Sequence, residues 1–317
     1  DKVRLAVRGT LAVGANHLEP TVSVGIATGG HGVGGEQLLR EASIAMHQAK
    51  DEGRDRCEFF QPDLAAEAEN RLAIENAVRE GLRDGQFVPW FQPVVNIADG
   101  AVVGYEALVR WVRPDGSIVP PDRFLPVAER SSLIADLDVA VLQQAVESLG
   151  KLPKPMHVAV NVSAHTLANA DYGHAVVAAL AHANADAKRL HVEFTETALL
   201  SISSRVQDVM RELAAIGVRW YVDDFGTGYS SIAHLRDLPI AGLKLDLSFT
   251  AGIRAGDDTS EQLSKALAGL AAGLGIDTIA EGVQTPEEAA SLAAHGWKHA
   301  QGWLYGRPEP ATAILPP

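Results

Sequence analysis

The chain has 317 residues, of which 47% are hydrophobic and 21% charged, so it holds enough apolar material for a sizeable core. Lysine and arginine total 27 against 40 aspartate and glutamate, and the formal net charge of −13 opposes non-specific attraction to DNA, RNA or an anionic membrane surface. This composition excludes the disordered and fibrous classes, and the length predicts about two domains.

The cysteine count fits a reducing compartment, and the hydropathy profile argues against a membrane span. Cys57 is the only cysteine, which excludes an intrachain disulfide and a cysteine-based zinc site. No apolar run reaches the roughly 20 residues of a membrane span, and no secretory signal pattern opens the sequence. We expect a cytoplasmic chain without membrane contact. Because the first residue is Asp1 and not Met, we expect a piece of a longer protein, with any anchor upstream.

Residues 1–60 predict a small α/β unit. The spacing of apolar residues predicts a strand, a helix and a second strand at 21–27, 36–50 and 57–60. The segment Gly30-His-Gly-Val-Gly-Gly35 matches the dinucleotide-binding fingerprint, with Asp55 about 20 residues further on. Such a site needs several parallel βα repeats, which this unit lacks. We therefore interpret the segment as a flexible glycine-rich connection.

A polar helix from Pro62 to Asp84 is predicted to link this unit to a longer region in which strands and helices alternate. Eight segments of that region are typical of strands: 87–96, 101–111, 157–163, 190–197, 218–225, 242–246, 277–283 and 299–305. Helical periodicity is found in six stretches: 131–149, 166–183, 202–215, 229–236, 259–274 and 285–295.

This alternation predicts an α/β fold, a (β/α)8 TIM-like barrel in residues 85–317, preceded by the small α/β unit and by a linker helix in residues 61–84. Only Ile97 to Gly100 separate the first two strands. A loop this short, ending in Asp-Gly, joins antiparallel neighbours. We therefore expect one antiparallel strand in the barrel.

Acidic residues recur where the predicted strands end, and barrel enzymes gather their functional groups at the carboxyl-terminal ends of their strands. The polar residues at these ends are Glu106, Asn161, Glu193, Glu196, Asp223, Asp224, Lys244, Asp246, Glu281 and Gln301. Seven carboxylates around one mouth would repel one another, and desolvating even one costs several kcal/mol. Oxygen ligands without thiolates or paired histidines favour hard cations such as Mg²⁺ or Mn²⁺.

Each of these residues also has a simpler interpretation. A single Glu after a strand is commonly a helix cap or a surface charge, and Asp223-Asp224 before Phe-Gly-Thr-Gly is typical of a turn with an N-cap. Asn161 begins an Asn-Val-Ser glycosylation acceptor, which the lack of a secretory signal argues against. The recurrence of such residues at one end of successive strands is what favours a common site.

A series of short motifs runs through residues 82–310. Glu106-Ala-Leu is followed by Val-Arg110-Trp111, and further motifs begin at Gln92, Asn161, Glu193, Asp223, Lys244, Glu281 and Gln301. Together they resemble the EAL family of cyclic-di-GMP phosphodiesterases. The resemblance is specific because many dispersed motifs occur in the family's order.

The resemblance implies metal-dependent hydrolysis of one phosphodiester bond of cyclic-di-GMP to linear pGpG, which lowers the level of a bacterial second messenger. It implies a first ion held by Glu106, Asn161, Glu193 and Asp223, and a second held by Asp223, Asp224 and Glu281. The nucleophile would be a water shared by the two ions.

The same resemblance assigns roles to other residues. Lys244 would orient the attacking water or tune its pKa, although a salt bridge to Asp246 is an equally good interpretation. Gln301 would position a metal-bound water. Glu196 and the loop of residues 225–230 would have supporting roles, with Gly226 and Gly228 letting the backbone bend beneath the aspartate pair. The catalytic residues are therefore expected to be Lys244, Glu281, Gln301 and Glu196. The substrate contacts are expected to be Gln92, Asp246 and Arg110, whose planar guanidinium suits a phosphate.

Residues 1–60 are similar to the last part of a GGDEF diguanylate cyclase domain, through Val22-Ser-Val-Gly25 and the segment from Met46 to Arg56. The cyclase signature precedes that region in the family and is not in this sequence, so we expect no cyclase activity. In the EAL family the 225–230 loop and the following helix lie at a dimer contact. We therefore expect a homodimer.

Two positions depart from the EAL pattern. Gln284 stands where a second Glu usually follows Glu-Gly-Val, and Leu247 stands where a basic residue usually follows Lys-x-Asp. Neither is an expected metal ligand, so we expect activity to survive. Two other classes stay open: a catalytically silent cyclic-di-GMP receptor, and a metal-free glycosidase that uses two carboxylates.

Overall fold

The computed structural model describes residues 11–13, 16–18, 20–29, 34–51, 53–169, 171–200, 202–228 and 232–315, together with Lys2 and Val7. The chain divides into two compact units, Asp1–Ala77 and Val78–Pro317. None of the described helices combines the length and the apolar character needed to cross a membrane.

The first unit contains short strands and one long helix. Its elements are β1 (Leu11–Val13), β2 (Asn16–Leu18), β3 (Val24–Ile26), α1 (Gly35–Asp51), β4 (Cys57–Phe59) and the greater part of α2 (Pro62–Arg83). β1 and β2 pair antiparallel, whereas β3 and β4 pair in parallel and are connected through α1. α1 packs directly on Gly25, where any side chain would collide with the helix backbone at Ala42 and Met46. The predicted strand, helix and strand are confirmed, and residues 30–33 of the glycine-rich segment lie outside the described residues.

The second unit is a closed barrel of eight strands with two short additions. Its strands are β5 (Phe87–Asn96), β6 (Val102–Val112), β7 (Ile118–Val119), β8 (His157–Asn161), β9 (Leu190–Thr195), β10 (Arg219–Phe225), β11 (Ile240–Leu245), β12 (Asp277–Ala280), β13 (His299–Gln301) and β14 (Glu309–Pro310). β7 and β14 lie outside the barrel. β6 and β8 to β13 pair in parallel, while β5 runs antiparallel to both β6 and β13 and closes the barrel. The predicted inverted strand is therefore confirmed and is β5.

The helices of the second unit follow local sequence signals. They are α3 (Leu125–Glu129), α4 (Leu133–Lys151), α5 (Ala164–Leu167), α6 (Tyr172–His182), α7 (Glu196–Leu199), α8 (Ser204–Ile216), α9 (Ile232–Asp237), α10 (Leu247–Arg254), α11 (Asp258–Leu274), α12 (Pro286–His295) and α13 (Ala311–Ile314). The single helix predicted over 166–183 is wrong. Ser163 caps the separate helix α5 by accepting a bond from the Thr166 amide, and Asn169 Oδ1 accepts the Asp171 amide in a turn before α6.

The inside of the barrel is layered because every second residue of a strand faces inward. Glu106, Glu193, Asp223 and Lys244 form one layer, and the residues two positions earlier on the same strands are Gly104, His191, Tyr221 and Gly242. The His157 and His191 rings stack with centroids 3.9 Å apart, and His191 stacks on Tyr221 at 4.7 Å. Gly104 and Gly242 leave room for these rings, since a side chain there would collide with His157 and Tyr221. The polar layer therefore lies directly on a packed layer of stacked rings, those of His157, His191 and Tyr221, which we call the floor.

This floor should make the barrel sensitive to acid. Burial holds the pKa of His191 well below its ordinary value and lowers that of His157 to about 4, with His299 and Arg219 acting in the same direction and Asp277 opposing at His157. Both imidazoles stay neutral in the fold but take up protons below about pH 6.5 in the unfolded chain. The unfolded state thus binds more protons than the folded state in this range. As the pH falls from 6.5 to 4, the free energy of unfolding should decrease by up to about 1.4 kcal/mol per pH unit for each histidine.

Urea denaturation between pH 8 and pH 5 measures this slope. A double variant, His157→Gln with His191→Gln, should be less stable at pH 8 because it loses the stacked rings, but its stability should change less with pH than that of the native chain. Equal slopes for the two proteins would show that other groups cause the acid sensitivity.

Candidate active site

A cleft of about 540 Å³ opens at the carboxyl-terminal ends of the barrel strands. It gathers polar residues that are far apart in the sequence: Gln92, Glu106, Asn161, Asp223, Glu281 and Gln301. Glu193 and Lys244 complete the cluster from within the barrel, 1% and 0% exposed. The barrel thus brings these eight of the predicted residues together in one site.

Lys244 lies at the centre of the acidic cluster. Its ammonium contacts four carboxylates, with Nζ at 3.1 Å from Glu106 Oε2, 2.7 Å from Glu193 Oε2, 3.3 Å from Asp223 Oδ1 and 2.7 Å from Glu281 Oε1. Burial alone would lower the pKa of Lys244, but the surrounding carboxylates hold it well above its ordinary value. The ammonium therefore stays charged and neutralises part of the cluster.

Glu106 is the most fully hydrogen-bonded of the four carboxylates. Besides the contact with Lys244, it accepts Asn161 Nδ2 at 2.7 Å and Gln301 Nε2 at 2.7 Å. Gln301 Nε2 also donates to Gln92 Oε1 at 3.0 Å, and Gln92 Nε2 donates to the carbonyl of Gly306 at 3.1 Å. Burial opposes the charged form of Glu106, but Lys244 and the two amide donors outweigh it and keep its pKa below the ordinary value.

Burial disfavours the charged form of the other three carboxylates, and the protein compensates for this only in part. Burial raises the pKa of Glu193 well above its ordinary value, raises that of Asp223 and brings that of Glu281 to about 8, because Lys244 offsets only part of the desolvation. One ammonium leaves an excess of negative charge when all four carboxylates are ionised. Divalent cations are the natural partners for such an excess.

The carboxylate oxygens fall into two groups whose atoms lie within 4.8 Å of one another: Glu106 with Glu193 and Asp223, and Asp223 with Asp224 and Glu281. Asp223 belongs to both groups. Gln301 Oε1 is buried beside them and has no hydrogen-bond partner among the described residues. Two sets of carboxylates that share Asp223 fit a pair of hard divalent cations, and the unpaired Gln301 Oε1 beside them fits an oriented water. The division matches the ligand sets expected from the sequence, with Asn161 beside the first group.

Asp224 and Asp246 lie at the edge of this arrangement. The backbone of Asp224 has a φ of 52°, a left-handed conformation that is uncommon for residues other than glycine. Burial, together with Asp223 and Asp246, raises the pKa of Asp224 to about 6. Asp246 caps α10, accepting the Ser248 amide at 2.9 Å. Nζ of Lys244 pairs with Glu106, Glu193, Asp223 and Glu281 and not with Asp246, so the interpretation of these two residues as a salt bridge is wrong.

Glu196 holds the loop that follows the aspartate pair. Its Oε2 accepts the amides of Gly226 at 2.8 Å and Gly228 at 3.0 Å. Gly228 leaves room for this carboxylate, because a Cβ there would lie 2.9 Å from Glu196 Oε1. Gly226 has a φ of 102°, which favours glycine. Residues 229–231 of the loop lie outside the described part of the chain.

Arg110 lies beside the cleft and not in it. A second cavity of about 700 Å³ shares Leu108, Asn161 and Asp223 with the cleft, and Arg110 lines this second cavity. Its Nη1 donates to the carbonyl of Val109 at 2.8 Å. Asn161, Asp223 and Asp224 also line this second cavity, so a ligand that enters it can contact both Arg110 and the two aspartates.

Sequence reasoning missed Glu288, which anchors the loop that carries Glu281. Glu288 is 3% exposed, its Oε2 accepts the Gln284 amide at 2.7 Å, and its Oε1 lies 3.3 Å from Nε of Arg254. The Thr285-x-x-Glu288 capping box at the start of α12 is the signal that would have identified it. Glu288 thus supplies a carboxylate near the position where Gln284 departs from the family pattern.

Comparisons with known proteins agree with this geometry. The sequence profile of the EAL domain matches residues 75–308. The chain is 38% identical over 309 residues to the cyclic di-GMP phosphodiesterase NbdA of Pseudomonas aeruginosa, covering 96% of this chain and 39% of that protein. It is 33% identical over 317 residues to the cyclic di-GMP phosphodiesterase PdeR of Escherichia coli, covering 99% of this chain and 48% of that protein. The chain therefore spans less than half the length of either relative.

Among solved structures, the complex of the PaMucR phosphodiesterase with c-di-GMP superposes with a TM-score of 0.73 at 33% identity, covering 77% of this chain and all of that one. The similarity in sequence extends over the strands that carry the carboxylates, and the similarity in structure extends over the barrel that brings them together. This chain belongs to the EAL domain family.

Proposed function

We propose that the barrel unit hydrolyses one phosphodiester bond of cyclic-di-GMP and releases linear pGpG, with Mg²⁺ or Mn²⁺ as the cofactor. The observation that carries this proposal is the pair of carboxylate groups that share Asp223 at the mouth of the barrel. Further support comes from relatives that are named cyclic di-GMP phosphodiesterases and from a related structure that holds c-di-GMP. Two divalent cations bound there would stabilise the charge that develops on the phosphate and lower the pKa of a water.

Residues of the chain would hold the cations and orient the water. Glu106, Asn161, Glu193 and Asp223 would hold one cation, and Asp223, Asp224 and Glu281 the other. Lys244 contacts four of these carboxylates and would hold them together as a positive charge. Gln301 Nε2 already donates to Gln92 and Glu106, whereas Gln301 Oε1 has no hydrogen-bond partner among the described residues. This oxygen would orient a water.

Incubation of the purified chain with cyclic-di-GMP and Mg²⁺ or Mn²⁺, followed by chromatography, tests the proposal. We expect pGpG to accumulate, and EDTA to stop its formation because the site then lacks the cations that lower the barrier. Readdition of the metal ion should restore turnover. Tight binding of cyclic-di-GMP without product would identify a silent receptor, and hydrolysis that persists in EDTA would identify a mechanism that uses carboxylates alone.

The proposal extends to the rest of the chain. Residues 1–60 are assigned to the end of a GGDEF-like domain without cyclase activity, and the parallel pair β3 and β4 around α1 is consistent with an α/β unit there. Residues 61–84 act as the linker helix. The loop of residues 225–230 is the proposed contact of a homodimer, and the cytoplasm is the proposed compartment because the sequence has a single cysteine.

A further inference from the structure

Trp303 is an exposed tryptophan at the edge of the catalytic cleft. Its side chain is 58% exposed, and it lines the same cleft as Glu106 and Glu281. Of the chain's five tryptophans, Trp111, Trp220 and Trp297 are at most 3% exposed and Trp90 is half-buried. A large ring left in water beside a polar cleft is characteristic of a surface that a ligand covers.

The backbone holds Trp303 in a fixed place. The amide of Val283 donates to the Gln301 carbonyl at 3.1 Å, and the amide of Leu304 donates to the Val283 carbonyl at 3.1 Å. Gly302 packs so closely on the backbone of Val283 that no side chain fits between them. The strand predicted to continue through residue 305 therefore ends at Gln301 and turns. The backbone at Trp303 is joined in this way to the loop that carries Glu281.

The surroundings of the ring suit a nucleotide. The guanidinium of Arg307 lies 4.3 Å from the Trp303 ring centroid, and Arg254 also lines the cleft. These two cations lie beside a site in which carboxylates outnumber the buried Lys244, in a chain of net charge −13. Leu247, also 58% exposed, adds an apolar side chain to the same wall. A flat ring, an apolar neighbour and nearby arginines match a ligand with a planar base and a phosphate.

We propose that Trp303, supported by Arg307, is the base-stacking residue of this site and takes one purine base of the dinucleotide. The proposal rests on the proposed function and deepens it by naming a group that binds the base and not the phosphate. Stacking of this kind contributes equally to the bound substrate and to the transition state. It should therefore act on KM and on product affinity, and leave kcat nearly unchanged.

The test compares Trp303→Ala and Trp303→Phe with the native chain. Trp303→Ala should raise the KM for cyclic-di-GMP and the Kd for pGpG in Mg²⁺ by about tenfold, the equivalent of about 1.4 kcal/mol, with kcat within about threefold. Trp303→Phe should restore both constants because it keeps an aromatic face. In the native chain pGpG should quench tryptophan fluorescence, and this quenching should disappear in both variants because Trp303 is the ring that the ligand covers.

Phe59→Ala is the matched control, since it removes an aromatic side chain that is 57% exposed outside the barrel unit, and it should leave both constants unchanged. Unaltered KM and pGpG affinity in Trp303→Ala would overturn the proposal, as would a fall in kcat at constant KM. A native chain that is quenched by pGpG but does not hydrolyse cyclic-di-GMP would retain the stacking site and refute the proposed function. Hydrolysis of cyclic-di-GMP without quenching by pGpG would support the proposed function and refute the stacking role of Trp303.

Discussion

Replacing Lys244 by Met should lower the free energy of unfolding in EDTA by about 3 to 5 kcal/mol, the range observed when one partner of a buried ion pair is removed. The ammonium contacts Glu106, Glu193, Asp223 and Glu281 at 2.7 to 3.3 Å and is fully buried. Without it, four carboxylates share a desolvated space and no positive charge. Saturating Mg²⁺ should restore part of the lost stability, because the cations then take over the neutralising role.

Urea denaturation at pH 8, with EDTA or with Mg²⁺, measures both effects. The deficit should shrink as the pH falls, because the carboxylates of the variant can take up protons instead of remaining charged. Lys151→Met serves as the control, since Lys151 is exposed at the end of α4 and its replacement should change stability by less than about 0.5 kcal/mol. A Lys244→Met protein as stable as the native chain in EDTA would contradict the central role of this ammonium.

Replacing Glu106 by Gln should reduce the turnover of cyclic-di-GMP by about a thousandfold or more, which corresponds to about 4 kcal/mol of activation free energy. The change removes one negative charge from the first carboxylate group, while Asn161, Gln301 and Lys244 remain around the side chain. The nearly equal shape of the two side chains should preserve the fold. Initial rates of pGpG formation over a range of Mn²⁺ concentrations measure the loss.

Glu147→Gln makes the same chemical change on the exposed side of α4 and should retain native turnover. Binding of cyclic-di-GMP by Glu106→Gln should persist, which would separate loss of chemistry from loss of the ligand site. Native turnover in Glu106→Gln would remove Glu106 from the ligand set and with it the proposed division of the carboxylates.

The parts of the fold that depend on local patterns were predictable. Strand and helix periodicity identified the barrel, and the short Ile97 to Gly100 loop identified the inverted strand. The position of Glu193 and Asp223 in one site followed from the same pattern, since both stand near the end of a strand, whereas Glu106 lies in the middle of β6. Local signals also misled where a turn interrupts a periodic stretch, as between α5 and α6, because helical spacing continues across the break.

Long-range contacts were not predictable, because they depend on side-chain packing and not on spacing. The sequence suggested that metal ions alone neutralise the acidic residues, whereas Lys244 supplies a positive charge from inside the barrel. Its pairing with Asp246 looked plausible only because the two residues are close in the chain. The contact of Glu288 with Arg254 likewise joins two helices that no local pattern relates.

The inverted direction of β5 decides where the chain enters the barrel. Phe87 pairs with Trp111 near the carboxyl-terminal end of β6, so the first strand begins on the catalytic side and runs downward past Gln92. The last turn of α2 abuts that entrance, since a side chain at Gly81 would lie 3.0 Å from both Phe87 and Trp111. A first strand parallel to the others would begin at the opposite, closed end. A displacement of the end of α2 would therefore be transmitted along about 17 Å of β5, from Phe87 to Gln92. The side-chain oxygen of Gln92 accepts the hydrogen bond from Gln301.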